Sequence, residues 1–331
     1  MSTNRPKVSI LMPVKNASRY LGACLDSILD QSLTDWELIA VDDHSADDSA
    51  DILQAYAQRD ARINVLFNTG HGILPALKLA LEHSNGTYVT RMDADDIMKA
   101  PKLELLFMQL DDSDLAIGLV EYFHEEGTLG EGYRKYQEWL NNTSLVGETY
   151  AEIYKECTVP SPCWMMSRDQ LKSIGGFEGL DYPEDYDLAF RMYEHDLAIG
   201  VVPEVLHLWR DHSERTSRND AHYSDNRFLD IKVRRFLELE QDANRLVLWG
   251  AGRKGKEIAA LLLDRGVQFC WISGNSRKIG HQIYDQELIS ESEFSFADQD
   301  KIVVGIAGDP LSEVKVLIRE KDLPGQFYFF A

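Results

Sequence analysis

Three observations predict an α/β fold built on a mostly parallel sheet, followed by a second, smaller α/β domain. Apolar strand-like runs alternate with amphipathic helical stretches from Lys7 to Thr90, the pattern of right-handed crossover units. Two acidic clusters, Asp42-Asp43 and Asp93-Ala94-Asp95-Asp96, fall at the ends of such runs, where open α/β sheets bind ligands. Beyond a charged helical stretch, a fresh apolar run, Arg245–Trp249, enters Gly250-Ala251-Gly252-Arg253-Lys254-Gly255 and restarts the alternation.

The elements follow in order. Lys7–Val14 is a short apolar strand, and Ala17–Gln31 a helix with Tyr20, Leu21, Cys24, Ile28 and Leu29 on one face. Trp36–Val41 is the next strand and Ser49–Arg59 the next helix. Ile63–Phe67, a helix from Leu74 to His83 and a strand at Tyr88–Thr90 repeat the unit. From Leu115 to Trp209 the pattern is mixed, with loops rich in Pro, Gly and Trp and one amphipathic helix from Glu184 to His195. This region is the expected seat of acceptor contacts. The predicted domains are residues 6–225, a helical linker over 226–242, and a Rossmann-like domain over 243–331, with strands at Val267–Ile272 and Lys301–Ile306.

Composition narrows the function classes. A chain of 331 residues exceeds the usual size of a single core, and no run approaches the roughly 20 apolar residues of a membrane span. The first residues, Met1 to Lys7, lack the apolar core of a signal peptide, so a cytoplasmic location is expected. Cys24, Cys157, Cys163 and Cys270 show no CxxC spacing, which indicates neither a cysteine zinc site nor a disulfide framework. A formal charge of −21 opposes broad attraction to nucleic acid or anionic lipid.

Carboxylates at a strand end suit a hard cation, Mn²⁺ or Mg²⁺, whose remaining positions are filled by the phosphate oxygens of a substrate. Asp93-Ala94-Asp95-Asp96 therefore points to a diphosphate ligand. Glu184-Asp185 opens a helix whose Leu188, Ala189 and Met192 face the core, leaving both carboxylates at the N-terminus, where the dipole favours an ionised anion. Asp185 is the candidate general base, with Glu184 as its substitute.

In combination, Ser9-Ile10-Leu11-Met12-Pro13-Val14-Lys15-Asn16, Val41-Asp42-Asp43-His44-Ser45, the Asp93-Ala94-Asp95 DXD motif with Asp96, Gly175-Gly176-Phe177, Glu184-Asp185 and Trp209-Arg210-Asp211-His212 resemble a family 2 glycosyltransferase of the GT-A fold, over roughly residues 6 to 240. With its trailing Trp249-Gly250-Ala251-Gly252 domain, the chain is also similar to a two-domain subgroup that includes a eukaryotic galactosyltransferase acting on queuosine-modified tRNA. The resemblance implies that Asp43 accepts the uracil N3–H of a UDP-sugar, with Pro13 and Val14 lining the base. Asn16 either contributes there or caps its loop. It also implies that Asp93 binds the ribose, with Ala94 beside it, that Asp95 and His212 hold the cation, that Asp96 sits beside the metal or the donor sugar, and that Arg215 pairs with phosphate. Arg210 is read as a salt-bridge partner, and Lys78, at a position often occupied by asparagine, as solvated.

The expected activity is an inverting, metal-dependent transfer of a sugar to a hydroxyl of a glycan, a lipid-linked saccharide or a modified tRNA nucleoside. The glycine turn at Gly250 satisfies the strand-turn-helix context of a dinucleotide site, but the next strand ends in Ser273-Gly274-Asn275, with no acid for a ribose. An NAD-linked oxidoreductase is disfavoured on that ground. Structure, homo-oligomer assembly or acceptor positioning remain as roles for the second domain.

Overall fold

The computed structural model describes residues 5–125, 127–179, 183–213, 215, 228–240 and 245–331. The chain divides into two compact units, Met1–Ala151 with Cys157–Arg218, and Glu152–Glu156 with Asn219–Ala331.

The first unit is a mixed eight-stranded sheet in the order β3-β2-β1-β4-β7-β6-β8-β5. Its first half is parallel: β1 (Val8–Val14) lies between β2 (Trp36–Asp42) and β4 (Tyr88–Arg91), and β3 (Ile63–Phe67) flanks β2. Every residue of β2 and nearly every residue of β1 is buried, as expected of strands covered on both faces. The helices between them are α1 (Ser18–Leu29), α2 (Ser49–Arg59) and α3 (Ile73–His83). The face of α1 carrying Tyr20, Leu21, Cys24, Leu25 and Ile28 is buried in a core with Val8, Ile10, Met12 and Leu38. Because β2, β1 and β4 are adjacent and parallel, Asp43 and the 93–96 loop emerge on one rim.

The second half of the sheet is less regular. It comprises β5 (Ile97–Met98), β6 (Leu115–Phe123), β7 (Trp164–Ser167) and β8 (Ile199–Arg210), with α4 (Lys102–Gln109), α5 (Glu131–Leu145), α6 (Arg168–Ser173) and α7 (Glu184–Glu194). Strand β7 runs antiparallel to both β4 and β6, whereas β6 and β8 are parallel, with register shifts around Leu119. The mixed sequence pattern has a cause here. Helix α5 buries only Leu140, Thr143 and Ser144, too few apolar residues to write a helical period into the sequence.

The second unit contains α8 (Phe228–Leu239), β9 (Arg245–Trp249), α9 (Arg253–Asp264), β10 (Cys270–Ser273), β11 (Gln282–Ile283), β12 (Gln286–Ser290), β13 (Asp300–Val304), α10 (Asp309–Glu320) and β14 (Gln326–Phe329). Its sheet order is β11-β12-β10-β9-β13-β14, parallel except for β11 against β12. Helix α8, expected within the linker over 226–242, belongs to this unit; residues 226, 227, 241 and 242 lie outside the described set. The short segment 152–156 joins it through Tyr154, whose ring stacks on Phe330 at 5.5 Å. No described helix is long and apolar enough to cross a membrane.

The glycine turn after β9 is a packing device. Gly250 adopts φ 117°, and a Cβ on Gly255 would lie 2.0 Å from the Gly250 carbonyl oxygen, so only glycine lets α9 approach the strand. Gly255→Ala is expected to destabilise this unit by roughly 3 kcal/mol through overpacking. Hydrogen exchange of the β9 and β13 amides measures the loss; unchanged protection would show that the turn yields.

Candidate functional site

Asp43 follows β2 directly and is buried at the rim. Its Oδ1 accepts from Asn68 Nδ2 at 2.7 Å, its Oδ2 accepts from Lys15 Nζ at 3.0 Å, and the Gly72 N–H reaches both oxygens at 3.0 Å. Burial raises the carboxyl pKa, but the Lys15, Asn68 and Gly72 hydrogen bonds outweigh it and hold the group below its ordinary value. Lys15, Asn68 and Gly72 are partners the sequence reading missed. Their signal was faint, since each is a loop residue that acquires meaning only when three loops meet at one strand end.

Val14 contributes its carbonyl to the Asp43 N–H at 2.7 Å, and Pro13 is half-buried beside it in β1. Asn16 is a loop cap. It adopts φ 49°, its Oδ1 accepts the Ala46 N–H at 2.8 Å, and its own N–H donates to Ser45 Oγ at 3.0 Å. These bonds fix the loop through Oδ1 and the backbone N–H of an exposed residue.

The acidic loop is organised by Arg91, the last residue of β4. Its buried guanidinium donates from Nε to Asp93 Oδ1 at 2.8 Å and from Nη1 to Glu184 Oε1 at 2.9 Å. Burial disfavours its charge, yet Asp93, Glu184 and Asp185 more than compensate, so it stays protonated. Arg91 was not singled out from the sequence, although a basic residue inside an apolar strand run was a readable signal. Ala94 is buried between the two aspartates.

Asp95 accepts from His212 Nε2 at 2.9 Å, while its backbone carbonyl takes the Arg210 Nε–H at 2.6 Å. Burial raises the Asp95 pKa, but the His212 hydrogen bond and the Arg215 charge lower it further, below the ordinary value. The His212 ring lies 4.5 Å from that of Tyr20, and its buried Nδ1 makes no hydrogen bond. The Arg215 guanidinium sits over the rings of Tyr122 and Trp209 at 5.2 and 5.9 Å. A divalent cation fits this donor set. Asp95 Oδ2 and His212 Nε2 share a proton across 2.9 Å, and an ion held by both would take that proton's place.

Asp96 departs from expectation. Instead of facing a metal or sugar, it is buried, with Oδ1 on the Arg210 N–H at 2.8 Å and Oδ2 on His207 Nε2 at 3.0 Å. Both oxygens are turned into the protein because β8 supplies donors there. Lys102 Nζ lies 3.0 Å from His207 Nδ1 and also donates to the Pro162 carbonyl. An ammonium only donates, so His207 holds its proton on Nε2 and passes it toward Asp96. Burial and the Lys102 charge keep that imidazole neutral. Arg210 likewise ties Asp95 and Asp96 to β8 and pairs with Glu125. Lys78 makes an exposed ion pair with Glu178 at 2.7 Å.

Asp185 is half-buried, with Oδ1 accepting the Tyr186 N–H at 2.8 Å. It lines a pocket with Arg91, Ser161, Trp164, Phe177 and Leu188. The expectation that the helix terminus keeps it ionised needs correction. Burial and the neighbouring Glu184 charge push its pKa up to about 7, against the pull of Arg91. Glu184 is buried and paired with Arg91, which separates the two carboxylates by environment.

The Glycosyl transferase family 2 model matches residues 9–175, half of the chain. The chain therefore belongs to the family 2 glycosyltransferases. It is similar to EpsE of Bacillus subtilis, 29% identical over 243 residues, which cover 71% of this chain and 84% of EpsE. It is 32% identical over 127 residues to the glycosyltransferase GlyG of Streptococcus pneumoniae, covering 38% of this chain and 42% of GlyG. The match thus spans less than half of that relative's length. Among solved structures, residues 1–349 of S. aureus TarS in complex with UDP-GlcNAc share the fold, with a TM-score of 0.53 at 18% identity over 78% of this chain and 72% of TarS.

Lys102→Met is expected to destabilise the protein by about 3 kcal/mol, the cost of leaving the buried His207 Nδ1 and the Pro162 carbonyl without their donor. Chemical denaturation measures this, and a loss under about 1 kcal/mol would mean that Asp96 and His207 are satisfied without Lys102.

Proposed function

We propose that this chain moves a sugar from a UDP-sugar to a saccharide hydroxyl, with inversion at the anomeric carbon and with a divalent cation, Mn²⁺ or Mg²⁺, bound between enzyme and diphosphate. One observation carries the reading. A buried carboxylate suited to an imide, an acidic loop whose Asp95 meets the His212 imidazole, and a carboxylate raised to about 7 all belong to one sheet unit. The TarS fold, solved with a UDP-sugar, supports a donor of the same kind.

Asp43 accepts the uracil N3–H on Oδ2 once Lys15, whose side chain is 56% exposed, swings outward. Asp93, oriented by Arg91, takes the ribose hydroxyls. Asp95 and His212 would hold the cation, which would supply positive charge against the leaving diphosphate. Arg215 adds a fixed positive charge beside Asp95. Asp185 takes the acceptor proton as the hydroxyl attacks the face of the sugar opposite the leaving group. The apolar walls of its pocket, Trp164, Phe177 and Leu188, suit the flat faces of a saccharide. A formal charge of −21 weighs against tRNA as the acceptor.

Turnover should therefore rise with pH through about 7, the value to which Asp185 is raised. A base must be deprotonated, so activity falls about tenfold per unit on the acidic side. Asp185→Asn should lower kcat by about two orders of magnitude while leaving UDP affinity intact. A pH-rate profile with both forms checks this, and near-normal turnover in the variant moves the base elsewhere. Calorimetry should show UDP binding that depends on Mn²⁺ and is lost in Asp95→Ala; equal affinity in chelator contradicts the metal assignment.

A further inference from the structure

We propose that Asp43, His44 and His71 form a second metal site, suited to Zn²⁺ and overlapping the carboxylate read as the nucleobase acceptor. One ligand atom from each residue lies within 4.8 Å of the others. The two imidazoles come from different loops, one after β2 and one before α3, and stack with centroids 4.4 Å apart. Both are exposed, so core packing does not account for their pairing. His44 also holds a left-handed backbone, φ 57°, uncommon outside glycine.

The outer hydrogen bonds fit metal ligation. His44 Nε2 lies 2.8 Å from the Gly70 carbonyl oxygen. A carbonyl only accepts, so Nε2 carries the proton and Nδ1 keeps its lone pair. Metal-binding histidines are commonly fixed this way, by donating their other N–H to a carbonyl. Asp43 is oriented by the Asn68 amide and the Gly72 N–H. Two imidazoles and a carboxylate, with water in the fourth position, are a zinc donor set. Ligand atoms around tetrahedral zinc stand about 3.3 Å apart, a spacing that needs the exposed His71 ring to turn toward the held His44. Lys15 is the competitor: its Nζ occupies Asp43 Oδ2 at 3.0 Å and must leave for the ion to enter. That competition gives the site a signature. The overlap with UDP rests on the nucleotide reading above, whereas the ion site itself does not.

The test is a calorimetric titration of the full chain with ZnCl₂, without nucleotide. One class of site should weaken at least about tenfold in His71→Ala and in His44→Ala, and tighten several-fold in Lys15→Gln. Histidine variants that titrate like the wild type overturn the proposal. So does a Lys15→Gln protein with unchanged zinc affinity, because Asp43 is then no ligand. Repeating the titration with UDP bound should weaken the same site, and an unchanged affinity overturns the overlap. Failure of UDP to bind the zinc-free protein in the presence of Mn²⁺ counts against the nucleotide reading alone, since the nucleotide-free titration has already decided the ion site.

Discussion

The Arg91 guanidinium is the constraint on which the rest of the site depends. It is buried at the end of β4 and shared between Asp93 and Glu184, residues far apart in sequence. Without a cation at that point, Asp93, Glu184 and Asp185 would gather negative charge in a partly desolvated space, where like charges disfavour ionisation. Arg91 balances two of them and leaves Asp185 only partly compensated. Burial first, and then the Glu184 charge, raise the pKa of Asp185, and Arg91 offsets only part of that rise. One strand-end cation thus ties the acidic loop to the start of α7 and tempers the charge around Asp185.

The same separation explains why adjacent carboxylates differ in kind. Asp95 and Asp96 are neighbours, yet Asp95 meets an imidazole at the surface of the loop and Asp96 is drawn into the Lys102–His207 network. Glu184 and Asp185 repeat the pattern, one spent on Arg91 and the other left in a pocket. In both pairs one carboxylate is used to hold the loop or helix in place, and its neighbour is thereby presented.

Much of this was legible in the sequence where local pattern decides it. The alternation up to Tyr88 places Asp43 and Asp93 at parallel strand ends, since strands covered on both faces read as apolar runs. The clustering of Asp95 with His212 was reached only through the family resemblance, because it joins residues on either side of β8. Asp96 was misjudged for a related reason. Its donors, His207 and the Arg210 N–H, lie on a strand whose pairing with β5 and β6 no local period announces. Beyond β9, the missing acid after β10 was read correctly along the chain, yet Glu291 stands next to Gly274 in space, its carboxylate bonded to Trp249 Nε1 at 2.7 Å. Proximity of that sort is invisible to spacing rules.

The clasp between the loops after β1 and β2 has a thermodynamic consequence for ligand association. Asn16 is bonded to Ser45 and Ala46, and Asp47 accepts the Ser18 N–H at 2.9 Å from the start of α1. These loops are ordered by contacts made during folding. The conformational entropy that flexible rims lose on binding, about 0.5–1.5 kcal/mol for each immobilised side chain, has largely been surrendered before any ligand arrives. Association at this end of the sheet is then governed by how easily one solvated lysine changes its rotamer.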